Sequence, residues 1–266
     1  MTIMTIEQKI KKLAEYIGES NHIVFFGGAG VSTESGIPDF RSGSGLYNRK
    51  NKDEEYDSSP EIMLSKTYFY NNTEKFYKFY KSKMLYLGAK PNNAHKILAK
   101  LEQKGKLKAV VTQNIDHLHQ EAGSKTVVEL HGTVKNNDCL DCRKKFDVNY
   151  IIKSAGIPYC DNCGGIIKPD VTLYEEQLNY ETVNSAINYI IKADMLIVGG
   201  TSLAVYPAAY YAGCFFSQDK NINKKSVIIN KSATEYDSMF DISIGEGIGG
   251  VLSKAYYELY GEQIPE

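Results

Sequence analysis

His22-Ile-Val-Phe-Phe26 runs directly into Gly27-Gly-Ala-Gly30 and then Val31-Ser-Thr-Glu34. A short apolar run reads as a buried strand, and the glycines followed by hydroxyl side chains read as a tight turn that opens a helix. Strand, glycine turn and helix form the unit from which doubly wound parallel sheets are built. Comparable apolar runs recur at 107–112, 195–198 and 227–229, with a weaker one at 127–130. Helical stretches around 94–102, 182–191 and 250–260 lie between or beyond them, and Ile6, Ile10, Leu13 and Ile17 mark an amphipathic opening helix that Gly18 helps to end. The expected fold is therefore α/β, a doubly wound, Rossmann-like parallel sheet.

Two segments break the alternation. From 41 to 87 the chain is rich in Tyr, Lys and Asn, has a helix-start signal at Ser58-Ser-Pro-Glu61, and carries an aromatic stripe through Tyr68, Phe69, Phe76, Phe79 and Tyr80 that reads as core. The other segment, 133–169, holds Cys139-Leu-Asp-Cys142 and Cys160-Asp-Asn-Cys163. A two-residue gap lets both thiolates of a pair reach one metal, and two such pairs complete a closed tetrahedral zinc site with no position for water. Two disulfides or four unpaired thiols are the alternatives; a reducing compartment disfavours the first and the repeated spacing the second. The division expected is a discontinuous dinucleotide-binding domain of 1–40, 88–132 and 170–266, with 41–87 and 133–169 forming a smaller one. Cys214 has no partner in sequence and reads as a small buried hydrophobe.

The 266 residues carry 31 Lys plus Arg against 32 Asp plus Glu, so no cationic excess points to nucleic acid as the main partner. The chain shows no apolar run of membrane-spanning length and no signal-peptide pattern, so a cytoplasmic location is expected.

A glycine turn between strand and helix lets backbone N–H groups approach a pyrophosphate. Gly28-Ala29-Gly30 supplies two glycines, but Thr33 stands where a dehydrogenase fingerprint needs the third. On this turn alone, a cofactor cradle and a packing turn both remain open.

The continuation, Gly28-Ala-Gly-Val-Ser-Thr-Glu-Ser-Gly-Ile-Pro-Asp-Phe-Arg-Ser42, closely resembles the signature of the sirtuins, NAD-dependent protein deacylases. Thr112-Gln-Asn-Ile-Asp-His-Leu-His119, Glu129-Leu-His-Gly132, the two Cys pairs, Gly200-Thr-Ser-Leu-Ala-Val-Tyr-Pro207 and Ile228-Ile-Asn230 follow in family order, so that the resemblance spans about 6–260. It implies that NAD is consumed as a co-substrate, that the acetyl group of an acetyl-lysine is transferred to ADP-ribose with release of nicotinamide, and that one structural Zn2+ is held by Cys139, Cys142, Cys160 and Cys163.

The resemblance also implies site residues. Asn114 and Asp116 line the nicotinamide pocket, with Asp116 and the Ile115 backbone holding the carboxamide and Ser32 and Gln113 beside them. Phe40 shields the reacting ribose from water, and His131 is the general base, suited by an unperturbed pKa near working pH. Gly28, Ala29, Gly30, Thr33, Arg41, Gly200, Thr201, Ser202 and Asn230 are expected to contact the cofactor. His22, His95, His117 and His119 read as structural.

Acyl-lysine peptides in the family bind as an added strand between the two lobes. The corresponding stretch is Lys168-Pro-Asp-Val-Thr-Leu-Tyr-Glu-Glu176, with Val171, Leu173 and Tyr174 expected to touch substrate; Tyr174-Glu175-Glu176 stands where many relatives have Phe-Gly-Glu. Relatives that prefer acidic acyl groups carry Tyr and, three residues on, Arg. Here the pair corresponds to Tyr77 and Tyr80, so neutral acyl groups are expected, acetyl first, unless Lys78 or Lys81 substitutes. Rival readings are mono-ADP-ribosylation, a preference for longer acyl chains, an NAD-linked oxidoreductase and a zinc-ribbon binding module.

Overall fold

The computed structural model describes residues 4–40, 45, 58–204, 206–217 and 224–264. Nine strands are present among them: β1 (Ile23–Gly27), β2 (Leu107–Thr112), β3 (Val127–Glu129), β4 (Gly132–Cys139), β5 (Lys145–Asp147), β6 (Ile167–Val171), β7 (Met195–Gly199), β8 (Lys225–Ile229) and β9 (Ile242–Ile244). Six of them form one sheet in the order β3-β2-β1-β7-β8-β9, every pair parallel. The doubly wound expectation is met. The chain winds outward on one side of β1 through β2 and β3 and on the other through β7, β8 and β9, so the order reverses between β1 and β7, the place where such sheets bind ligands.

Side-chain alternation along the central strands builds two cores. Ile23 and Phe25 of β1 and Met195 and Ile197 of β7 pack against helices Ile6–Glu19, Asn93–Gln103 and Ile248–Tyr260, whereas Val24, Phe26, Leu196 and Val198 pack against helix Tyr180–Lys192 and the segment around Ala212 and Phe215. Central strands buried on both faces carry apolar residues at every position, which is why they were legible as runs. Thr5 closes the first helix with a capping box to Gln8.

The glycine turn does not open an α-helix. Residues Ala29–Val31 and Thr33–Ser35 are two single 3-10 turns, stopped by Gly36 in the left-handed region (φ 82°) and by Pro38, which disfavours helical backbone at Ile37. No helix dipole of useful length therefore points out of this turn. The glycines serve a close approach between loops: Gly30 N–H donates to the Gly200 carbonyl at 2.8 Å, and a Cβ on Gly30 would lie 2.8 Å from the Gly200 Cα.

A second, antiparallel sheet has the order β5-β4-β6. Its core joins Met63, Phe69, Phe76, Tyr77, Phe79 and Tyr80 of the helical segment to Val134, Phe146, Ile151 and Ile167 of the cysteine-bearing segment. Val171 and Leu173 belong to the same core, and β6 runs through the 169/170 position at which the sequence suggested a division. Cys214 is only half-buried, its thiol 3.6 Å from the Tyr210 carbonyl, because the short helix Ala208–Gly213 lies at the surface.

Candidate active site

The C-terminal ends of β1, β2, β7 and β8 open into one cavity of about 1120 Å3 that also reaches the small-lobe core. Gly28, Ala29, Gly30, Ser32, Thr33, Phe40, Gln113, Asn114, Ile115, Asp116, His131, Val171, Leu173, Tyr174, Tyr80, Gly200, Thr201, Ser202 and Asn230 all line it. Arg41 lies outside the described residues. Tyr77 is not a lining residue; it is fully buried and donates its hydroxyl to the Ile167 carbonyl.

The loop that follows β2 turns back over the glycine turn, and its polar side chains lock together. Ser32 Oγ donates to Asp116 Oδ2 at 2.6 Å and accepts from Asn114 Nδ2 at 3.1 Å, while the other Asp116 oxygen accepts from the Leu118 N–H at 2.9 Å. Ser32 is 1% exposed and Asn114 9%. Burial raises the Asp116 pKa, and the Ser32 and Leu118 hydrogen bonds oppose that rise.

Gln113 reaches across the crevice, donating Nε2 to Thr201 Oγ1 at 3.0 Å. Asn230 spends both ends of its amide on the backbone of Thr201, accepting from the N–H and donating to the carbonyl at 3.0 Å each. Its established contact is therefore with the 200–203 loop, which it holds in place.

His131 stands between the two sheets. Its Nδ1 lies 2.9 Å from the Gln113 carbonyl. A carbonyl only accepts, so Nδ1 carries the proton and Nε2 keeps its lone pair. Burial holds the imidazole pKa below its ordinary value, and the Gln113 carbonyl partly offsets this. The ring is thus neutral at neutral pH and in the tautomer that accepts a proton at Nε2. The backbone around it bridges the lobes: Thr172 N–H donates to the His131 carbonyl at 2.9 Å, and Val134 N–H to the Ile115 carbonyl at 3.0 Å.

Among residues the sequence did not single out, Glu129 is the most perturbed, pushed up to about 7 by burial, with His117 Nδ1 3.7 Å from its Oε1. Lys231, Ser232, Ala233, Thr234 and Glu246 also line the cavity. Their only signal was position, just past the C-terminal ends of β8 and β9. His95 and His119 pack ring against ring in the core and take no part.

The four cysteines form a separate site. Their Sγ atoms all lie within 4.8 Å of one another, with Cys139–Cys163 at 3.4 Å and Cys142–Cys160 at 3.6 Å. A disulfide needs about 2.05 Å. A thiolate tetrahedron around zinc, with bonds of about 2.3 Å, has edges of about 3.8 Å, so the set fits one Zn2+.

At the opposite wall Tyr174 pairs with the helical segment, its N–H donating to the Leu64 carbonyl at 3.0 Å and its carbonyl accepting from Lys66 N–H at 2.9 Å. Glu175 retains the left-handed backbone expected of glycine (φ 72°), and its Oε2 accepts from Thr67 N–H at 2.9 Å and Thr67 Oγ1 at 2.6 Å. These two bonds anchor the strained residue. Its carboxylate is therefore engaged with Thr67, which holds its pKa below the usual range.

Sheet, crevice and appended metal-binding lobe define a dinucleotide-binding α/β protein whose ligand site lies between two lobes. The Sir2 family model matches residues 28–207. Proteins named NAD-dependent protein deacetylase from Clostridium acetobutylicum and Clostridium tetani are 55% and 56% identical over 254 residues, in each case covering 94% of this chain and 98% of the relative. A solved structure of Sir2 bound to an acetylated peptide superposes with a TM-score of 0.82 at 36% identity, and a Sir2–p53 peptide–NAD+ structure with 0.81 at 37%, each covering 94% of this chain and 98% of the other. This chain belongs to the Sir2 family.

Proposed function

We infer that this protein is an NAD-dependent protein-lysine deacetylase. NAD and acetyl-lysine, with water, give nicotinamide, O-acetyl-ADP-ribose and free lysine. The observation that carries the reading is the convergence on one cavity of the Ser32–Asn114–Asp116 cluster and a neutral His131 with Nε2 open to accept a proton.

NAD supplies the nicotinamide–ribose bond whose cleavage exposes an electrophilic ribose carbon to the acyl oxygen. Asp116 and the Ile115 backbone hold the carboxamide, with Asn114 beside them, and Ser32 fixes the orientation of the carboxylate. Phe40 covers the reacting ribose and excludes water, whose attack would waste NAD. His131 Nε2 takes the proton of a ribose hydroxyl, and the Gln113 carbonyl keeps the ring in the required tautomer and orientation. Gly28, Ala29, Gly30, Thr33, Gly200, Thr201 and Ser202 cradle the rest of the dinucleotide, the 200–203 loop being held by Asn230.

The acetyl-lysine peptide enters as an added strand along Val171, Leu173 and Tyr174. Within 172–176 the N–H groups of Thr172, Leu173, Tyr174 and Glu176 and the carbonyls of Leu173 and Tyr174 already have partners, which leaves the Glu175 N–H and the carbonyls of Thr172, Glu175 and Glu176 to pair with it. Neutral acyl groups fit the apolar residues of the wall, and neither Lys81, bound to the Ser154 and Gly156 carbonyls, nor the exposed Lys78 lines the cavity, whereas Lys83 does. Cys139, Cys142, Cys160 and Cys163 hold one structural Zn2+. The working division is a dinucleotide-binding unit of 1–40, 88–132 and 170–266 and a small unit of 41–87 and 133–169. A cytoplasmic location accords with four unbridged thiols; among the described residues no helix is long and apolar enough to cross a membrane.

Mass spectrometry of an acetyl-lysine peptide incubated with and without NAD tests the reading. Loss of the acetyl group only with NAD, mole for mole with nicotinamide, is the expected result. Labelling of protein by ADP-ribose without peptide turnover would replace deacetylation with mono-ADP-ribosylation.

A further inference from the structure

Glu175 is the one residue of 172–176 with left-handed backbone, at φ 72°, where glycine is favoured and a side chain is strained. Strain of this kind persists where the surroundings hold it, and it gathers at sites that bind. What holds Glu175 is its own carboxylate. Oε2 accepts from Thr67 N–H at 2.9 Å and from Thr67 Oγ1 at 2.6 Å, so the side chain is fixed in direction, while Oε1 has no partner among the described residues.

This fixed group stands at the edge of the peptide slot. Glu175 lines the cavity, is exposed to solvent, and has an N–H left over for an added strand. In paired strands opposite Cβ atoms are about 5 Å apart, within the length of a Lys or Arg side chain. Of the other acidic residues on the cavity wall, Glu176 is bound to Lys168 at 3.0 Å and Glu121 to Lys135 at 2.9 Å. The Thr67 bonds and the charge of Lys66 keep the Glu175 carboxylate ionised, and no cation among the described residues is paired with it. A carboxylate already oriented and half satisfied binds a cation without the ordering cost that weakens most surface pairs.

We propose that Glu175 selects acetyl-lysine peptides that carry an Arg or Lys close beside the modified residue and disfavours acidic ones. The proposal rests on the deacetylase reading, with the peptide as an added strand, and names the substrate class of that site.

Acetyl-lysine peptides with Arg, Ala or Glu placed in turn at each of the two residues on either side, and otherwise uncharged, decide it. Peptide mass followed over time gives kcat and KM for the wild type, Glu175→Gln and Glu175→Lys at low salt. The wild type is expected to favour Arg over Glu about fivefold at one position or more, through the KM for peptide with kcat unchanged, the scale of one exposed ion pair. Salt at about half molar should bring that ratio toward one. Glu175→Gln keeps an acceptor for Thr67 and should abolish the preference, and Glu175→Lys should reverse it, whereas a role in holding the loop alone would change all peptides equally. Arg and Glu peptides within about twofold of each other at every position in the wild type, or a preference that survives Glu175→Gln, overturns the proposal, while turnover of the Ala peptides leaves the deacetylase reading standing. No turnover of any peptide overturns both.

Discussion

Ser32→Ala removes one oxygen from the centre of the site. In the intact protein that oxygen donates to Asp116 at 2.6 Å and accepts from Asn114 at 3.1 Å, with no water available to replace it at 1% exposure. A hydrogen bond to a charged, buried partner contributes on the order of 2 kcal/mol. At 1.36 kcal/mol per decade that is roughly thirtyfold in kcat/KM for NAD, if Asp116 must be ionised and oriented to hold the carboxamide. The sign of the pH effect follows from the same contacts. Burial raises the Asp116 pKa and the Ser32 hydroxyl lowers it, so its removal raises the pKa further and moves the acid limb of kcat/KM for NAD to higher pH. Nicotinamide release at saturating acetyl peptide, titrated with NAD from mildly acidic to mildly alkaline pH, measures both. A variant whose kcat/KM stays within threefold of the wild type, with an unmoved acid limb, would refute the role given to this hydroxyl.

His131→Ala should lower deacetylation by about a hundredfold to ten-thousandfold, the range of general-base catalysis, while calorimetric NAD binding persists; retained turnover removes its assignment as base. Chelation, or Cys142→Ser, should lower the melting temperature and activity together, and a metal analysis finding no zinc in active protein would sink the structural-zinc assignment. The pair His95 and His119, buried with three of four ring nitrogens unpartnered, makes the fold acid-sensitive. Burial pushes His95 down to about 4 and holds His119 well below its ordinary value, so the unfolded chain binds protons that the folded one refuses; this stabilisation is full above pH 6.5 and is lost as pH falls toward the folded values. His95 alone removes about 2 kcal/mol between pH 7 and pH 5. His95→Gln keeps an acceptor for the Asn92 N–H and should flatten the slope of denaturant stability against pH by that amount; an unchanged slope counts against the assignment.

The central strands were readable because burial on both faces forces an apolar residue at every position. β4 was not, since Gly132-Thr-Val-Lys-Asn-Asn-Asp-Cys139 is mostly polar; it is a strand because β5 and β6 pair with it on both sides, tertiary context overriding weak propensity. β9 is too short to stand out, three residues at the edge of the sheet. The expected helix after the glycine turn failed because Gly36 and Pro38 were weighed less than the hydroxyls before them. The residues that line the cavity were legible where they sit in compact motifs at strand ends. The difference between Tyr77 and Tyr80 was not, since a three-residue step on a helix keeps both on the buried side and says nothing of which hydroxyl β6 will satisfy.

One strand explains why a structural metal should govern chemistry that it never touches. β4 begins at Gly132, adjacent in the chain to His131, and ends at Cys139, the first thiolate of the cluster. Its pairing with β6 joins Gly132 to Val171 and Cys139 to Ile167, with a register irregularity between. The β6 end then continues into Thr172, whose N–H holds the His131 carbonyl, and Val134 within β4 holds the Ile115 carbonyl of the loop after β2. A short irregular sheet of this kind has little register preference of its own. Fixing Cys139 to the second cysteine pair pins the far end of β4, and with it the backbone on either side of His131. Metal loss should therefore be felt at His131 and at the carboxamide contact together, as a collapse of kcat and of NAD affinity alike, whereas His131→Ala should spare the latter.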